Sequence, residues 1–278
     1  MWPLSNQLSA GGAEAYVPPA AGLARNIPGP ATFQNLNLSF ATQNCNSLNV
    51  TSTLRNIQTK ITSIMQLDKD ILLLSDIRLG EKATMIKRLF SCKYNMFHNS
   101  SSNKRGVAIL IRNNVNLSDE NFFRDADENI LIIKGLFNGI ELIVGAVYGP
   151  NNDNKRFFDT LGNYLRTNNN CSVIIGGDWN CTVSNLPAHV NPDIFDMQQI
   201  PSVNRTDWLN DVIDNCNLID PFRLCNGNEN DYSYIPFGEN RKNRSRINFF
   251  SSPTAYLIMS IFAEYKIVIL RETLIIGL

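Results

Sequence analysis

Histidine is nearly absent. The 278 residues contain only His98 and His189, which leaves no histidine-rich metal cage and no obvious histidine acid/base centre. Six cysteines occur (Cys45, Cys92, Cys171, Cys181, Cys216 and Cys225), but no C-x-x-C pair and no histidine at zinc spacing accompanies them. A zinc finger or ribbon is thereby excluded, and free thiols in a reducing compartment are the expectation. Net charge is also lacking, with 25 basic and 25 acidic residues. The total argues neither for nor against nucleic acid, so only a local patch can. No basic segment followed by an apolar one marks a secretory signal, so an intracellular site, nuclear or cytoplasmic, is expected rather than secretion. Residues 256–278 are apolar but contain Glu264, Lys266, Arg271 and Glu272. Those charges argue against a membrane span and for closing strands of the domain. No internal repeat is evident.

What is present is a run of strand ends. Residues 1–33 are rich in Ala, Gly and Pro, with Pro18-Pro19 and Pro28-Gly29-Pro30 as breakers, and are read as a flexible leader or linker. Residues 34–278 form the expected domain. Leu36, Leu38 and Phe40 alternate with polar residues in a half-buried strand that ends at Asn44 and Asn46. Residues 51–66 carry Leu54, Ile57, Ile61 and Ile64 at helical spacing. The apolar run from Asp70 to Asp76 predicts a strand buried on both faces. Another strand is expected over 105–111, and 129–136 with 139–148 predict a hairpin turning at Asn138-Gly139. Phe157, Phe158, Leu161, Tyr164 and Leu165 mark a helix, and 207–217 another. Between those helices, Val173 to Asp178 is an apolar strand closing on Gly176-Gly177-Asp178-Trp179-Asn180. Strands outnumber helices and include a hairpin, which favours a mixed sandwich with flanking helices over a purely parallel sheet.

Polar residues sit just beyond these strands: Asn44, Asn46, Asp76, Tyr148, Asp178, Asn180 and Asn248. Singly, each is most simply a turn residue. If the strands share a sheet edge, the side chains converge in one cleft. Asp178 and Asn180, two apart, point the same way in extended chain. A carboxylate beside an amide can handle a proton and a developing oxyanion. Trp179 between them is expected in the core.

The ordered segments are Gln43-Asn44-Cys45-Asn46-Ser47-Leu48, Ile71 to Leu79, Arg105 to Ile109, Val147-Tyr148-Gly149-Pro150, Gly177 to Asn180, Asp220-Pro221-Phe222-Arg223 and Ser245 to Phe250. As a set they resemble the endonuclease/exonuclease/phosphatase superfamily. The resemblance is strongest to the apurinic-like endonuclease domain of non-LTR (LINE-type) retrotransposons, and it covers residues 36–278. It implies an α/β four-layered sandwich, with two mixed β-sheets packed face to face and flanked by helices. It also implies Mg²⁺-dependent (or Mn²⁺-dependent) phosphodiester cleavage that nicks target DNA. By the same resemblance Asp178 orients or deprotonates water, while Asn180, Asn44 and Tyr148 place the phosphate. Asp76 holds the metal, with Asn46 in its outer shell. The resemblance further implies a reverse transcriptase domain on the same polypeptide, and these 278 residues include none.

Three departures stand out. Asp76 replaces the usual Glu. Asn248 stands where an Asp is normal, and Thr273 falls near the place of the catalytic His. The acid/base pair is therefore degenerate at Asn248 and Thr273, and a weakened or absent activity is expected. Neither His98 nor His189 is placed to substitute. A basic run, Arg241, Lys242, Arg244 and Arg246, suggests a grip on the DNA backbone, with Tyr232, Tyr234 or Phe237 beside it and Lys104-Arg105 on the same face. The competing reading of that run is an exposed loop. Two other functions fit the sequence: a non-catalytic nucleic-acid-binding relic of the fold, and a phosphatase of the same superfamily.

Overall fold

The computed structural model describes residues 38–49, 54–183, 191–195, 202–226, 233 and 244–251. The expected leader, the C-terminal closing strands, Thr273 and His189 lie outside them. So do Arg241, Lys242, Tyr232, Tyr234 and Phe237.

Two mixed sheets form the centre. The first has the order β1 (Phe40–Asn44), β2 (Ile71–Ser75), β4 (Val107–Arg112), β3 (Tyr94–Asn99). The β1–β2 pair is parallel and the others antiparallel. The second runs β11 (Asn248–Ser251), β8 (Ser172–Asp178), β7 (Ile140–Tyr148), β6 (Ile130–Phe137), β5 (Leu117–Arg124). Here only β7–β8 is parallel. A small antiparallel pair, β9 (Ile194–Phe195) with β10 (Arg244–Ser245), lies apart from both sheets.

Strand alternation sorts the apolar side chains into three cores. Ile71 and Leu73 of β2 and Val107 and Ile109 of β4 face Leu131, Ile133, Leu142 and Val144 of the other sheet. Leu72, Leu74, Ala108 and Leu110 face outward onto Ile57, Ile61 and Ile64 of α1 (Leu54–Met65) and Ile86 and Phe90 of α2 (Ala83–Phe90). On the far side, Ile132, Ile143, Val173 and Ile175 meet Phe157, Phe158, Leu161 and Leu165 of α3 (Lys155–Thr167) and Leu209 and Val212 of α4 (Val203–Asn215). Each of those α3 side chains contributes about 1.5–3 kcal/mol by leaving water. The layers are helix, sheet, sheet, helix, as expected. All five β2 residues are buried, which is why that run shows no polar alternation.

The hairpin turn is at Asn138 (φ 50) and Gly139 (φ 83), two left-handed residues as a tight turn of this hand requires. Among the elements that escape the sequence pattern are β3, α2 and β5. The last is an edge strand of sequence LSDENFFR with a bulge between Ser118 and Asn121. Its exposed polar residues hide the period that marks a half-buried strand. Helix α4 begins at Val203, ahead of the expected 207. Among the described residues, no helix is long and apolar enough to cross a membrane, and Cys45, Cys92, Cys171, Cys181 and Cys216 are free.

Candidate active site

The strands that carry the polar residues end at one edge of the sandwich. In the first sheet Asn44 is in register with Ser75, and Asp76 follows directly. In the second, Tyr148 and Asn248 flank Asp178 on neighbouring strands. At this edge a hydrogen bond joins the two sheets: Asn44 Nδ2 donates to Asp178 Oδ2 at 2.6 Å, between residues 134 apart in sequence. The other oxygen, Asp178 Oδ1, accepts from the Asn180 N–H at 2.9 Å. The Asn44 amide cannot turn over, because its Oδ1 accepts from the Asn46 N–H at 2.9 Å. Asp178 is thus fixed through both oxygens.

Glycine makes this possible at two points. A Cβ on Gly177 (φ +151) would lie 2.0 Å from the Val147 carbonyl oxygen, and one on Gly149 would lie 2.1 Å from that of Trp179. No side chain fits either place. Trp179 points into the core, fully buried, and stacks on Phe249 with ring centres 5.3 Å apart. Asn180 Nδ2 donates to the Gly149 carbonyl at 2.7 Å, so its amide also holds the turn that carries Tyr148.

The carboxylates sit in an unfavourable place. Asp178 is 3% exposed. Burial pushes its pKa from 3.8 up to about 6; the Asn180 and Asn44 hydrogen bonds oppose this, and Asp76 adds to it. A value near neutrality suits a group that takes up a proton. Tyr148 is shifted upward as well, first by burial and then by Asp76 and Asp178, with Arg78 opposing. In the ladder Tyr148 pairs with Asp178 on the neighbouring strand. Five non-glycine residues at this edge have left-handed backbone: Asn46, Ser47, Asp76, Arg78 and Asn180. Each such residue costs about 1–3 kcal/mol, and strain of this kind collects where geometry serves function.

Three cations that sequence reasoning did not single out shape the site. Arg78 grips Asp76 with both arms, Nε to Oδ1 at 2.7 Å and Nη2 to Oδ2 at 2.8 Å, and its charge opposes the upward shift of Tyr148. Lys60, on α1, donates to the carbonyls of Cys45, Asn46 and Ser47 at 3.1, 2.9 and 2.9 Å. Arg205, on α4, donates to the carbonyls of Pro150 and Asn180 at 3.0 and 2.8 Å. Each helical layer sends one cation to hold a site loop. Only Arg78, two residues after an acid at a strand end, left a trace in the sequence. Lys60→Met removes the clamp on residues 45–47 and is expected to cost about 2 kcal/mol. Amide exchange of residues 45–48 should accelerate selectively; uniform exchange across the fold would contradict a local role.

Among the described residues, no three His, Cys, Asp or Glu side chains converge on a point. Mg²⁺ needs fewer, since it keeps several waters and takes one or two carboxylates with substrate phosphate. Asp76 would supply the carboxylate, and Asn46 lies next to Ser47, whose N–H donates to the Asp76 carbonyl. Both Asp76 oxygens already accept from a positive group, the Arg78 guanidinium.

The expected basic grip is not what the described residues show. Arg246 is 3% exposed. Its Nε meets Asp193 Oδ1 at 2.7 Å, its Nη2 meets Asp220, and Arg223 meets the same Asp193 oxygen. Its guanidinium lies over Phe222 and Phe249. Burial works against its charge, and Asp220 and Asp193 outweigh burial, so its pKa is raised. Arg246 is therefore a structural ion, not a surface contact: it ties β10 and α5 (Pro221–Asn226) to β9. The backbone of Arg244 lies in β10. Arg105 is half-buried, and its Nη1 donates to Asn129 Oδ1 at 3.2 Å. Its carbonyl accepts from the Arg78 N–H at 3.1 Å, so Arg105 borders the site. His98 sits on β3, half-buried, with its pKa lowered first by burial and then by Lys87.

No protein-family model matches the sequence. Among solved structures, the chain is similar to a 3′ phosphatase from Neisseria bound to a product DNA hairpin, with 20% identity, TM-score 0.62, and 78% of this chain and 87% of that one covered. It is similar also to an AP endonuclease from Archaeoglobus fulgidus (18%, TM-score 0.60, 77% and 86%) and one from Leishmania major (14%, TM-score 0.62, 77% and 78%). The chain has the endonuclease/exonuclease/phosphatase fold. Within that fold the Asn44–Asp178 bond crosses between the two sheets at the edge where the strand-end residues meet.

Proposed function

We propose that this chain is a metal-dependent phosphodiesterase of the retrotransposon endonuclease type that nicks DNA slowly. The observation that carries the reading is the Asn44–Asp178 hydrogen bond, with Asn180 on the second oxygen and Tyr148 alongside. It holds a buried carboxylate of near-neutral pKa at a strand end, where a water can be oriented. A bound Mg²⁺ or Mn²⁺ ion would offset charge on the scissile phosphate, with Asp76 as its protein ligand and Asn46 in its outer shell. Asp178 accepts the water's proton, Asn44 and Asn180 keep its oxygens aimed, and the Tyr148 hydroxyl donates to a phosphate oxygen. DNA as substrate is supported by the fold and by the DNA hairpin bound to the Neisseria phosphatase. The LINE-type assignment rests on the ordered sequence segments.

A reduced rate follows from the sequence, which has Asn248, paired through its backbone with Asp178, where the resemblance implies an Asp. Loss of a positioned acid/base group costs about 10²–10⁴-fold. That same position favours a second reading, a relic that binds nucleic acid without cutting it. Relaxation of supercoiled plasmid, in Mg²⁺ and in EDTA, separates the two. Slow metal-dependent nicking, raised by Asn248→Asp with Thr273→His, is the expected result. Salt-dependent DNA binding with no nicking would replace the first reading by the second. Turnover of inositol phosphates but not DNA would replace both by a phosphatase.

A further inference from the structure

We infer that Arg78 is a built-in rival of the metal ion: it occupies both oxygens of Asp76 in the resting protein and passes to the DNA phosphate when a divalent cation takes Asp76. The inference rests on the proposed metal-dependent function and adds a device to it.

The geometry is specific. Asp76 is 3% exposed, and a carboxylate taken that far from water demands a counter-charge. Arg78 supplies one through the two-pronged contact at 2.7 and 2.8 Å. Both acceptor oxygens are then directed at the guanidinium, so an incoming cation must displace it. The arrangement is held under strain, since Asp76 (φ 53) and Arg78 (φ 46) both have left-handed backbone, which neither residue favours. Their backbones are pinned independently of the ion pair. The Asp76 carbonyl accepts from the Ser47 N–H, and the Arg78 N–H donates to the Arg105 carbonyl. The side chains can therefore exchange partners while the loop stays in place.

Arg78 is also open to solvent on one side, so it can exchange partners. Its side chain is 36% exposed against 5% for that of Asp76. Its charge also acts on Tyr148, opposing the upward shift of that phenol, the residue proposed to touch phosphate. A guanidinium released at that point faces the place where a phosphate oxygen would sit, and its fork matches phosphate as well as carboxylate. Apparent metal affinity is then the intrinsic affinity scaled by the fraction of molecules in which Asp76 is free. DNA, by drawing Arg78 away, raises that fraction, and metal and DNA each favour the other's binding.

The test uses the full chain and Mn²⁺, counted by the electron paramagnetic resonance signal of the free ion. Without DNA, Arg78→Gln is expected to bind Mn²⁺ about tenfold tighter than wild type, which corresponds to Asp76 being free in about a tenth of wild-type molecules. Arg78→Lys, a point charge without the fork, should fall between. A thermal melt guards against misfolding: Mn²⁺ should stabilise Arg78→Gln more than wild type. For DNA, the slope of log affinity against log salt should be smaller by about 1 in Arg78→Gln than in wild type with Mn²⁺ present, and equal to wild type in EDTA. Equal Mn²⁺ affinity in wild type and Arg78→Gln overturns the rivalry and leaves the proposed function standing. Mn²⁺ binding that survives Asp76→Asn, or is absent from wild type and Arg78→Gln alike, overturns the metal reading itself.

Discussion

Arg246→Ala is expected to lower the free energy of unfolding by about 3–5 kcal/mol, seen as a large drop in the urea midpoint with little change in slope. The reason is what it leaves behind. Asp193 is 1% exposed, and the side chain of Asp220 is 6% exposed. Both face the Arg246 guanidinium, and neither can reach water in its place. Arg223 still touches Asp193, which keeps the loss from being larger. The arginine also packs its plane against Phe222 and Phe249, and Phe249 in turn stacks on Trp179 beside the site. Arg246→Lys retains a charge but not the two-pronged geometry, and should recover part of the stability. A surface grip on DNA predicts the opposite pattern, with stability unchanged and DNA affinity reduced. The half-buried Arg105 serves as the comparison: Arg105→Ala should cost about 1 kcal/mol or less. Equal stability of wild type and Arg246→Ala would show that the ion network is not holding the β9–β10 region.

That misplacement of Arg246 shows where sequence reasoning stops. A run of cations in sequence gives charge density, but burial is decided by partners far away. Asp193 and Asp220 lie 53 and 26 residues from Arg246, and no local pattern links them. The same limit applies to Lys60 and Arg205, whose targets are carbonyl oxygens that exist as acceptors only once the loops are shaped. What was legible had local physical causes. The all-apolar run 71–75 announced a strand buried on both faces, and Asn138-Gly139 announced the turn. Strand-end Asn44, Asp76, Tyr148, Asp178 and Asn180 were legible as a set because each ends an apolar run. Their meeting follows from the parallel pairings β1–β2 and β7–β8, which bring successive C-terminal strand ends to the same edge. Strand β5 was lost because an edge strand in solvent keeps few apolar residues on either face.

Asp178→Asn should separate what the site needs from what the fold prefers. In a nicking assay it is expected to lose about 10²–10⁴-fold in rate, because an amide takes up no proton from water. Stability should respond differently. The folded pKa of about 6 lies above the ordinary 3.8, so between those values the native state holds more protons than the unfolded state. The stability contributed by protonated Asp178 is therefore complete below about pH 4 and is lost as pH rises through about 6. One pKa unit corresponds to about 1.4 kcal/mol, so the whole loss is about 3 kcal/mol. The amide variant has no such loss. It carries a fixed penalty instead: both Asp178 oxygens accept, from Asn44 Nδ2 and from the Asn180 N–H, and an amide can accept from only one. The Asn44 amide cannot flip to help, since the Asn46 N–H holds its oxygen. That orphaned donor costs about 1–3 kcal/mol at every pH. The variant should therefore be less stable than wild type near pH 4, and should gain on it by about 3 kcal/mol by about pH 8, where the two become comparable or change order. Other titrating groups, His98 and Asp125 among them, are common to both proteins and cancel in the difference. Urea denaturation of both across that range measures it. Parallel stability curves would mean that Asp178 is ionised at little cost in the fold, and the general-base role would then lack its near-neutral carboxylate. A gap that closes with rising pH, together with lost nicking, would identify Asp178 as a residue kept against the stability of the fold for the sake of the reaction.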